Sequence, residues 1–214
     1  MHYQLNDTIK QLFNLVWFCR KVNIPFEVYA FTNDSYCLDT RANTRRIDDR
    51  GYMTSGTHHN PNLNDICIEG TFRMVNILSS TAKSKQLDDM MRLIWLQTQA
   101  ISGHYFNPAR EFMLSGTPLN EAIISSELLV KRLIARESLQ KCHVIVLTDG
   151  DGYHTNMVGF RQRYNHTEDC WQYDETETCH RSICPKSSVI RVGSKTFNGG
   201  STASDFTCNL VKAV

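Results

Sequence analysis

Two short segments place oxygen-bearing side chains beside glycines, an arrangement that suits metal binding. One is SGTPL, which carries Thr117, and the other is LTDGDG, which carries Asp149 and Asp151. Hydroxyl and carboxylate oxygens are the ligands that Mg²⁺ and Mn²⁺ prefer. Thr117 and Asp149 are therefore candidate ligands of such an ion, with Asp151 as an auxiliary ligand. The alternative interpretation is a helix cap for Thr117 and a turn residue for Asp149.

A second group of possible ligands lies in DCWQYDETETCHRSICPK, where zinc could be bound by Cys170, Cys179, His180 and Cys184. Zinc ribbons and fingers usually pair ligands two to four residues apart, and adjacent Cys179 and His180 suit one tetrahedral ion poorly. We therefore prefer loop cysteines without a metal. The eight cysteines are spread through a chain long enough to fold without disulfides, which favours reduced thiols in a cytosol.

A third group, His58, His59 and Asp65, lies in a polar stretch and could serve a metal-dependent hydrolase, either a peptidase or a nuclease. The chain has no His-Glu-x-x-His helix, no Gly-x-Ser-x-Gly elbow and no phosphate-binding glycine loop. We therefore expect no enzymatic activity, and the hydrolase stays as the alternative.

Composition and charge limit the partners. The chain has 214 residues, of which 41% are hydrophobic and 21% charged, and its net charge is +1. That profile predicts one globular domain spanning residues 1–214. No run of basic residues exceeds two, so nucleic acid is not an expected partner. The apolar stretches are far shorter than the roughly 18 residues of a membrane span, and no signal-peptide pattern opens the chain. We expect no membrane contact and a cytoplasmic location, which is the host cytoplasm if the protein is viral.

The elements that must position these groups alternate between helix and strand. A helix is predicted from Asp7 to Val22, where apolar residues recur at helical spacing, and a strand is predicted at residues 25–32. Residues 33–70 have no periodicity and predict a long loop that is mobile or functional. A short strand from Phe72 to Leu78 and a helix from Lys85 to Ile101 follow, and the methionines of that helix are expected in the core.

The second half of the chain repeats the alternation. Thr117 as N-cap and Pro118 as first helical residue predict a helix running to about Glu137. The apolar run HVIVLT, residues 143–148, is typical of a strand buried on both faces of a parallel sheet. Another loop excursion is expected at about residues 150–187, then a weaker strand in SSVIRVGS and a helix from Asp205 onward.

This order of elements is that of a doubly wound α/β domain, in which ligands bind beyond the carboxyl ends of the strands. GTPLNEAI, followed one helix later by VIVLTDG, resembles the second and third segments of the metal-ion-dependent adhesion site of von Willebrand factor type A (vWA) domains. The soluble variety found in cobaltochelatase-type subunits, and in vWA proteins of large tailed phages, is the most similar. The resemblance implies a three-layer Rossmann-like fold with a mostly parallel central sheet.

The sequence also departs from that family. The family's first strand ends in Asp-x-Ser-x-Ser, and this motif would precede Met1, where it is missing. The resemblance then implies a truncated domain without its first central strand, which belongs between PFEVYAF and HVIVLTD, and without its C-terminal strand. Thr117 would remain as a direct metal ligand and Asp149 as a partner through water. The intact domain is expected to bind Mg²⁺ or Mn²⁺, and this chain weakly or not at all.

The function implied by the resemblance is binding rather than turnover. An ion held by hydroxyls and few carboxylates keeps the capacity to accept an acidic side chain of a partner protein as its last ligand. In the cobaltochelatase-type proteins the partner class is a hexameric AAA+ ATPase, for which the vWA protein acts as an adaptor. This expectation rests on the family analogy alone.

Overall fold

The computed structural model of the protein describes residues 2–33, 45–47, 53–55, 63–68, 72–103, 109, 116–148, 155–165, 167–192 and 194–213. The class is mixed α/β. The helices are α1 (His2–Lys21), α2 (Ser84–Ile101), α3 (Leu119–Glu137) and α4 (Ala203–Ala213). The strands are β1 (Glu27–Thr32), β2 (Arg45–Ile47), β3 (Met53–Ser55), β4 (Ile66–Cys67), β5 (Arg73–Ser79), β6 (Asn156–Asn165), β7 (Cys170–Ser182), β8 (Val189–Val192) and β9 (Lys195–Asn198).

Every strand pairing among the described residues is antiparallel. β1 pairs with β5, β2 with β3, β8 with β9, and β6 lies between β4 and β7. The predicted mixture of helices and strands is thus confirmed, whereas the pairings seen are not those of a parallel sheet. An antiparallel strand at the edge of an otherwise parallel sheet is common in large α/β folds, so the β1–β5 pair is compatible with either arrangement.

The amphipathic helices agree closely with the sequence predictions. α1 and α2 lie where apolar spacing predicted them, and α3 lies where the Thr117–Pro118 start predicted it, although α1 begins five residues earlier than the predicted Asp7. Met91 is buried in α2, which confirms that the methionine-rich face belongs to the core. The predicted strands in PFEVYAFT, near Phe72 and in SSVIRVGS are also present.

The predicted strand at residues 143–148 is wrong for the structure described. These residues have no regular secondary structure, and Val144, Ile145 and Val146 are 55%, 63% and 43% exposed. A β-branched run favours an extended backbone, but a strand also requires a neighbour to pair with. No described strand pairs with this segment.

The predicted loop at residues 150–187 is also wrong over its described part, because β6 and β7 form a long antiparallel hairpin there. Much of this hairpin is exposed on its surface, including Trp171 and Tyr173, and its sequence lacks the apolar alternation that would predict a half-buried strand. The described parts of the earlier excursion, residues 33–70, contain the short strands β2, β3 and β4.

Two groups of buried side chains form the core, and β1 contributes to both. Val28 and Phe26, the residue before β1, pack into the group formed by α1, α2 and β5, whereas Phe31 packs into the group formed by α3, α4 and β8. Successive side chains of a strand point to opposite faces, and these three positions fall on the two faces accordingly. Helices therefore pack against both faces of β1.

Candidate functional site

An apolar cavity of about 720 Å³ lies among α1, β1, α3 and residues 141–148. We call it the central cavity. Its walls include Leu12 of α1, Ala30 of β1 and Ile123 of α3, together with all eight residues of the 141–148 segment. The cavity is relevant to the predicted metal site because Thr117 lies on its wall.

Two contacts at opposite ends of α3 fix its direction relative to β1. Arg136 in the last turn of α3 donates to Glu27, the first residue of β1, over 2.7 Å. Just before α3 begins, Gly116 lies against the side chain of Asn33, which follows the last residue of β1. α3 therefore runs antiparallel to β1, and its amino terminus lies at the carboxyl end of that strand.

The chain after α3 returns along the same cavity. α3 has 19 residues, which corresponds to about 28 Å of helix. The eight residues 141–148 cover about 26 Å when extended, and all of them line the cavity. Thr148, at the end of this segment, and Thr117, before α3, therefore both lie on the wall of the same cavity.

Thr117 is half-buried and is not the helix cap that the sequence predicted. Pro118 occupies the cap position, and the Thr117 carbonyl accepts a 2.8 Å hydrogen bond from the amide of Leu119. The cap interpretation of the Thr117 hydroxyl is thus wrong, because the helix begins one residue later than predicted. Asp149 and Asp151 lie outside the described residues, so their predicted roles stay predictions.

The first turn of α3 carries two buried polar residues that the sequence analysis did not select. Asn120 is 1% exposed and accepts a 2.7 Å hydrogen bond from the Thr207 hydroxyl of α4. Glu121 is 6% exposed, and the positive end of the helix dipole favours a carboxylate at this position. The sequence did contain a signal for Glu121, because an acidic residue three positions after Pro118 falls in the first turn of the predicted helix.

At the amino end of β1, Glu27 accepts hydrogen bonds from both Arg136 and the Tyr29 hydroxyl. Burial pushes the pKa of Glu27 up, but the two hydrogen bonds and the arginine charge outweigh it, so the pKa lies below the ordinary value. Burial, with the Glu27 charge nearby, raises the pKa of Tyr29. The carboxylate at this end of the cavity is therefore ionised, and its hydrogen-bond partners are Arg136 and Tyr29.

The cysteines considered as zinc ligands lie at distant points along β7 and beyond its end. Cys170 begins β7 and pairs with Asn165 of β6, whereas Cys179 pairs with Gly159, six residues away along β6, which corresponds to roughly 20 Å of strand. These two thiols are too far apart to share one ion. Cys184 is exposed, and hydrogen bonding with Ser187 lowers the pKa of its thiol. No side-chain geometry is described for His180.

The residues considered for a hydrolase are not assembled in the part of the chain that the structure covers. Asp65 is exposed, and its carbonyl accepts a 3.0 Å hydrogen bond from the amide of Val158, whereas His58 and His59 lie outside the described residues. Over the ranges described, no group of three or more His, Cys, Asp or Glu side chains is arranged to hold a metal ion.

Within the same ranges, no helix has the length and hydropathy needed to cross a membrane.

Comparison of the chain with models of protein families, with curated proteins and with solved structures finds no match in any of the three.

Proposed function

We propose that this chain is a non-enzymatic, vWA-like protein-binding module whose metal-ion-dependent adhesion site includes Thr117 and Asp149. The observation that carries the proposal is the position of Thr117. It lies at the amino terminus of α3, beside the carboxyl end of β1 and on the same cavity as Thr148. Ligands of doubly wound α/β proteins bind at this edge, beyond the carboxyl ends of the strands.

The fold part of the proposal is a three-layer domain with a mostly parallel central sheet. Its support is that α3 runs antiparallel to β1, that residues 141–148 follow α3 along the same cavity, and that helices pack against both faces of β1. The antiparallel β5 would then be an edge strand of the sheet.

The proposed chemistry is metal-mediated adhesion. In this site the Thr117 hydroxyl would coordinate a Mg²⁺ or Mn²⁺ ion directly, and Asp149 would bind it through a water molecule. The protein would then neutralise little of the charge of the ion. The ion can therefore take a carboxylate of a partner protein as a further ligand. By resemblance to the cobaltochelatase-type proteins, we propose an AAA+ ATPase in the cytoplasm as the partner class. The low net charge of +1 favours a protein partner over a nucleic acid.

The alternative function, a metal-dependent hydrolase using His58 and His59, is favoured by no contact among the described residues.

The test is calorimetric titration of Mg²⁺ and Mn²⁺ into this chain and into a version extended before Met1 by a strand ending in Asp-x-Ser-x-Ser. Each protein is compared with its Thr117→Ala variant and with Thr196→Ala, which removes an exposed hydroxyl of β9. We expect the extended protein to bind, Thr117→Ala to weaken binding at least about tenfold, and Thr196→Ala to leave it unchanged. Absence of binding in both proteins while circular dichroism shows them folded would overturn the proposal. Peptide or nucleic-acid hydrolysis by the purified chain would favour the hydrolase.

A further inference from the structure

The carboxyl-terminal end of α1 exposes two neighbouring aromatic side chains. Trp17 is 54% exposed and Phe18 is 58% exposed, although the preceding Val16 is buried in the core. The Arg20 guanidinium carbon lies 5.3 Å from the centre of the Trp17 ring, a distance at which a cation and an aromatic ring attract each other. Large apolar side chains that are exposed together are a feature of surfaces that bind another protein.

Positive charge surrounds this aromatic pair. Arg20 also donates to the Ser84 hydroxyl at the start of α2, so Lys83 and Lys85, which are exposed on either side of that serine, lie near Trp17. The first turn of α2 contains no acidic residue, and the positive end of its dipole adds to the charge of the lysines.

The charges at this end of α1 do not cancel. Asp88 lies 2.7 Å from Arg20 and balances that arginine, whereas Lys21 in the last turn of α1 is exposed like the two lysines of α2. We call this surface the basic patch, and it consists of Trp17, Phe18, Arg20, Lys21, Lys83 and Lys85.

The hairpin of β6 and β7 exposes a second aromatic pair. Trp171 is 66% exposed and Tyr173 is 55% exposed. The two residues are two positions apart on β7 and therefore share one face of the hairpin. Arg163 of β6 pairs in register with Gln172, so it belongs to the opposite face, where it lies 3.1 Å from Asp174.

Carboxylates flank this second pair on both sides along the chain. Glu168 and Asp169 precede Trp171 in the hairpin turn, and Glu175 follows Tyr173 by two positions. All three acidic residues are exposed, and the sequence from residue 164 to residue 180 contains no lysine or arginine. We call these five residues the acidic patch.

The two patches are complementary in shape of charge and in composition. Each has two exposed aromatic side chains, and the charges around them are of opposite sign. Contact between two patches of the same kind would bring like charges together, whereas contact between an acidic and a basic patch brings opposite charges together. A second copy of the chain therefore presents the surface that each patch requires.

We propose that the acidic patch of one copy of this chain docks on the basic patch of a second copy. Because two different surfaces meet, the contact is heterologous, and repetition of it gives an open chain or a closed ring of copies. The aromatic side chains provide most of the affinity when they are buried in the contact, and the charges set its orientation. The contact involves no metal ion and does not rest on the adhesion site.

Sedimentation equilibrium of the full chain in the presence of EDTA tests for this association. We expect the mean mass to rise with protein concentration up to about 0.2 mM in about 50 mM NaCl. In about 500 mM NaCl the dissociation constant should increase at least about tenfold, because salt screens the charges. A mass that remains that of one chain at all concentrations, or an association that salt does not weaken, would overturn the proposal.

Charge reversals identify the two surfaces. Lys83→Glu with Lys85→Glu reverses the basic patch, and Glu168→Lys with Glu175→Lys reverses the acidic patch. We expect each double variant alone to associate at least about tenfold more weakly than the wild type. An equimolar mixture of the two variants should regain association, because every patch on one variant then meets a patch of opposite charge on the other. A mixture that associates no more strongly than its components would contradict head-to-tail docking.

The matched control is Lys195→Glu with Lys212→Glu, which makes the same change of net charge at exposed lysines of β9 and α4. We expect this variant to associate like the wild type. Weakening equal to that of the variant at Lys83 and Lys85 would assign the effect to net charge and overturn the proposal.

Circular dichroism should show all variants folded, and glutamates at the amino terminus of α2 are favoured by its dipole. Metal binding is measured separately, so failure of this proposal is distinguishable from failure of the adhesion site.

Discussion

Arg136 Nη1 lies 2.7 Å from Glu27 Oε1, and this ion pair joins the last turn of α3 to the first residue of β1. The Glu27 side chain is only 11% exposed, whereas that of Arg136 is 44% exposed. The same carboxylate also accepts the Tyr29 hydroxyl at 2.8 Å. The pair fixes one end of α3 beside the central cavity, and the contact of Gly116 with Asn33 fixes the other.

Replacing Glu27 with glutamine should make stability less dependent on pH. The pKa of Glu27 is lowered in the folded protein, so its ionised form stabilises the fold. That contribution is complete above the ordinary value of about 4.5 and disappears as pH falls through the lowered pKa. Urea denaturation should show the wild type more stable than Glu27→Gln at pH 7, with the difference shrinking toward pH 3.

The control is Glu127→Gln, which removes a partly exposed i,i+4 pair with Lys131 and should change stability little at pH 7. A gap between wild type and Glu27→Gln that is the same at pH 7 and pH 3 would show that the Glu27 charge does not stabilise the fold.

Alanine should be tolerated less well at Gly116 than at Gly103. Both glycines have positive φ, 71° and 88°, so each substitution incurs backbone strain of about 1 kcal/mol or more. A Cβ at Gly116 would also overlap the Asn33 side chain, whereas a Cβ at Gly103 would meet no atom within 4 Å. Thermal unfolding should therefore show the larger loss for Gly116→Ala.

A double variant tests the steric cause. In the background Asn33→Ala, the additional loss at Gly116→Ala should fall toward that of Gly103→Ala. A loss that does not change in this background would mean that Asn33 is not the residue that restricts Gly116.

Truncating Leu210 should be among the most damaging changes in α4. Leu210 is 1% exposed and packs with the core group that includes Leu119, Ile190 and Phe206. Leu210→Ala should lower the free energy of unfolding by about 2–5 kcal/mol because it leaves a cavity. The neighbouring Val211 is 58% exposed, and Val211→Ala should cost less than about 1 kcal/mol in the same denaturation experiment. Similar losses for both would refute the packing of α4 described above.

The start of α4 should depend on a reciprocal cap. The Thr202 hydroxyl accepts a 3.1 Å hydrogen bond from the Asp205 amide, and the Asp205 carboxylate accepts 3.0 Å bonds from the Ser201 and Thr202 amides. Thr202→Ala should reduce stability by about 1 kcal/mol, whereas Thr202→Ser keeps the hydroxyl and should remain near wild type. Equal loss in both variants would place the effect elsewhere than in the hydroxyl.

Helix positions could be predicted from the sequence because the apolar spacing that defines an amphipathic helix is a local property. α1 and α2 were predicted from that spacing and α3 from a Thr-Pro start, and α4 was expected from Asp205 onward, with errors of up to five residues at the helix ends. The short strands β1, β5 and β8 were predicted for a related reason, since their aromatic and branched residues favour extended backbone wherever they pair.

Pairing was decided only in three dimensions. Residues 143–148 have the composition of a buried strand, yet all of them except Leu147 are exposed, and none of the described strands pairs with them. The hairpin of β6 and β7 is the opposite case, since its polar sequence gives no periodic signal and its strands are defined by their hydrogen bonds to each other. Strand formation depends on a partner that may be distant in sequence, which local patterns do not report.

The candidate site likewise has one part that the sequence determines and another that only the tertiary structure determines. The sequence alone determined that Thr117 and Asp149 carry metal-type oxygens at the start of a helix and at the end of an apolar run. Only the tertiary structure brought Thr117 next to the carboxyl end of β1, through the contact between Gly116 and Asn33, which are 83 positions apart by their numbers. Packing of the first turns of α3 decides such a distance, because Leu119 and Ile123 are buried there in the core group against which Phe31 of β1 packs.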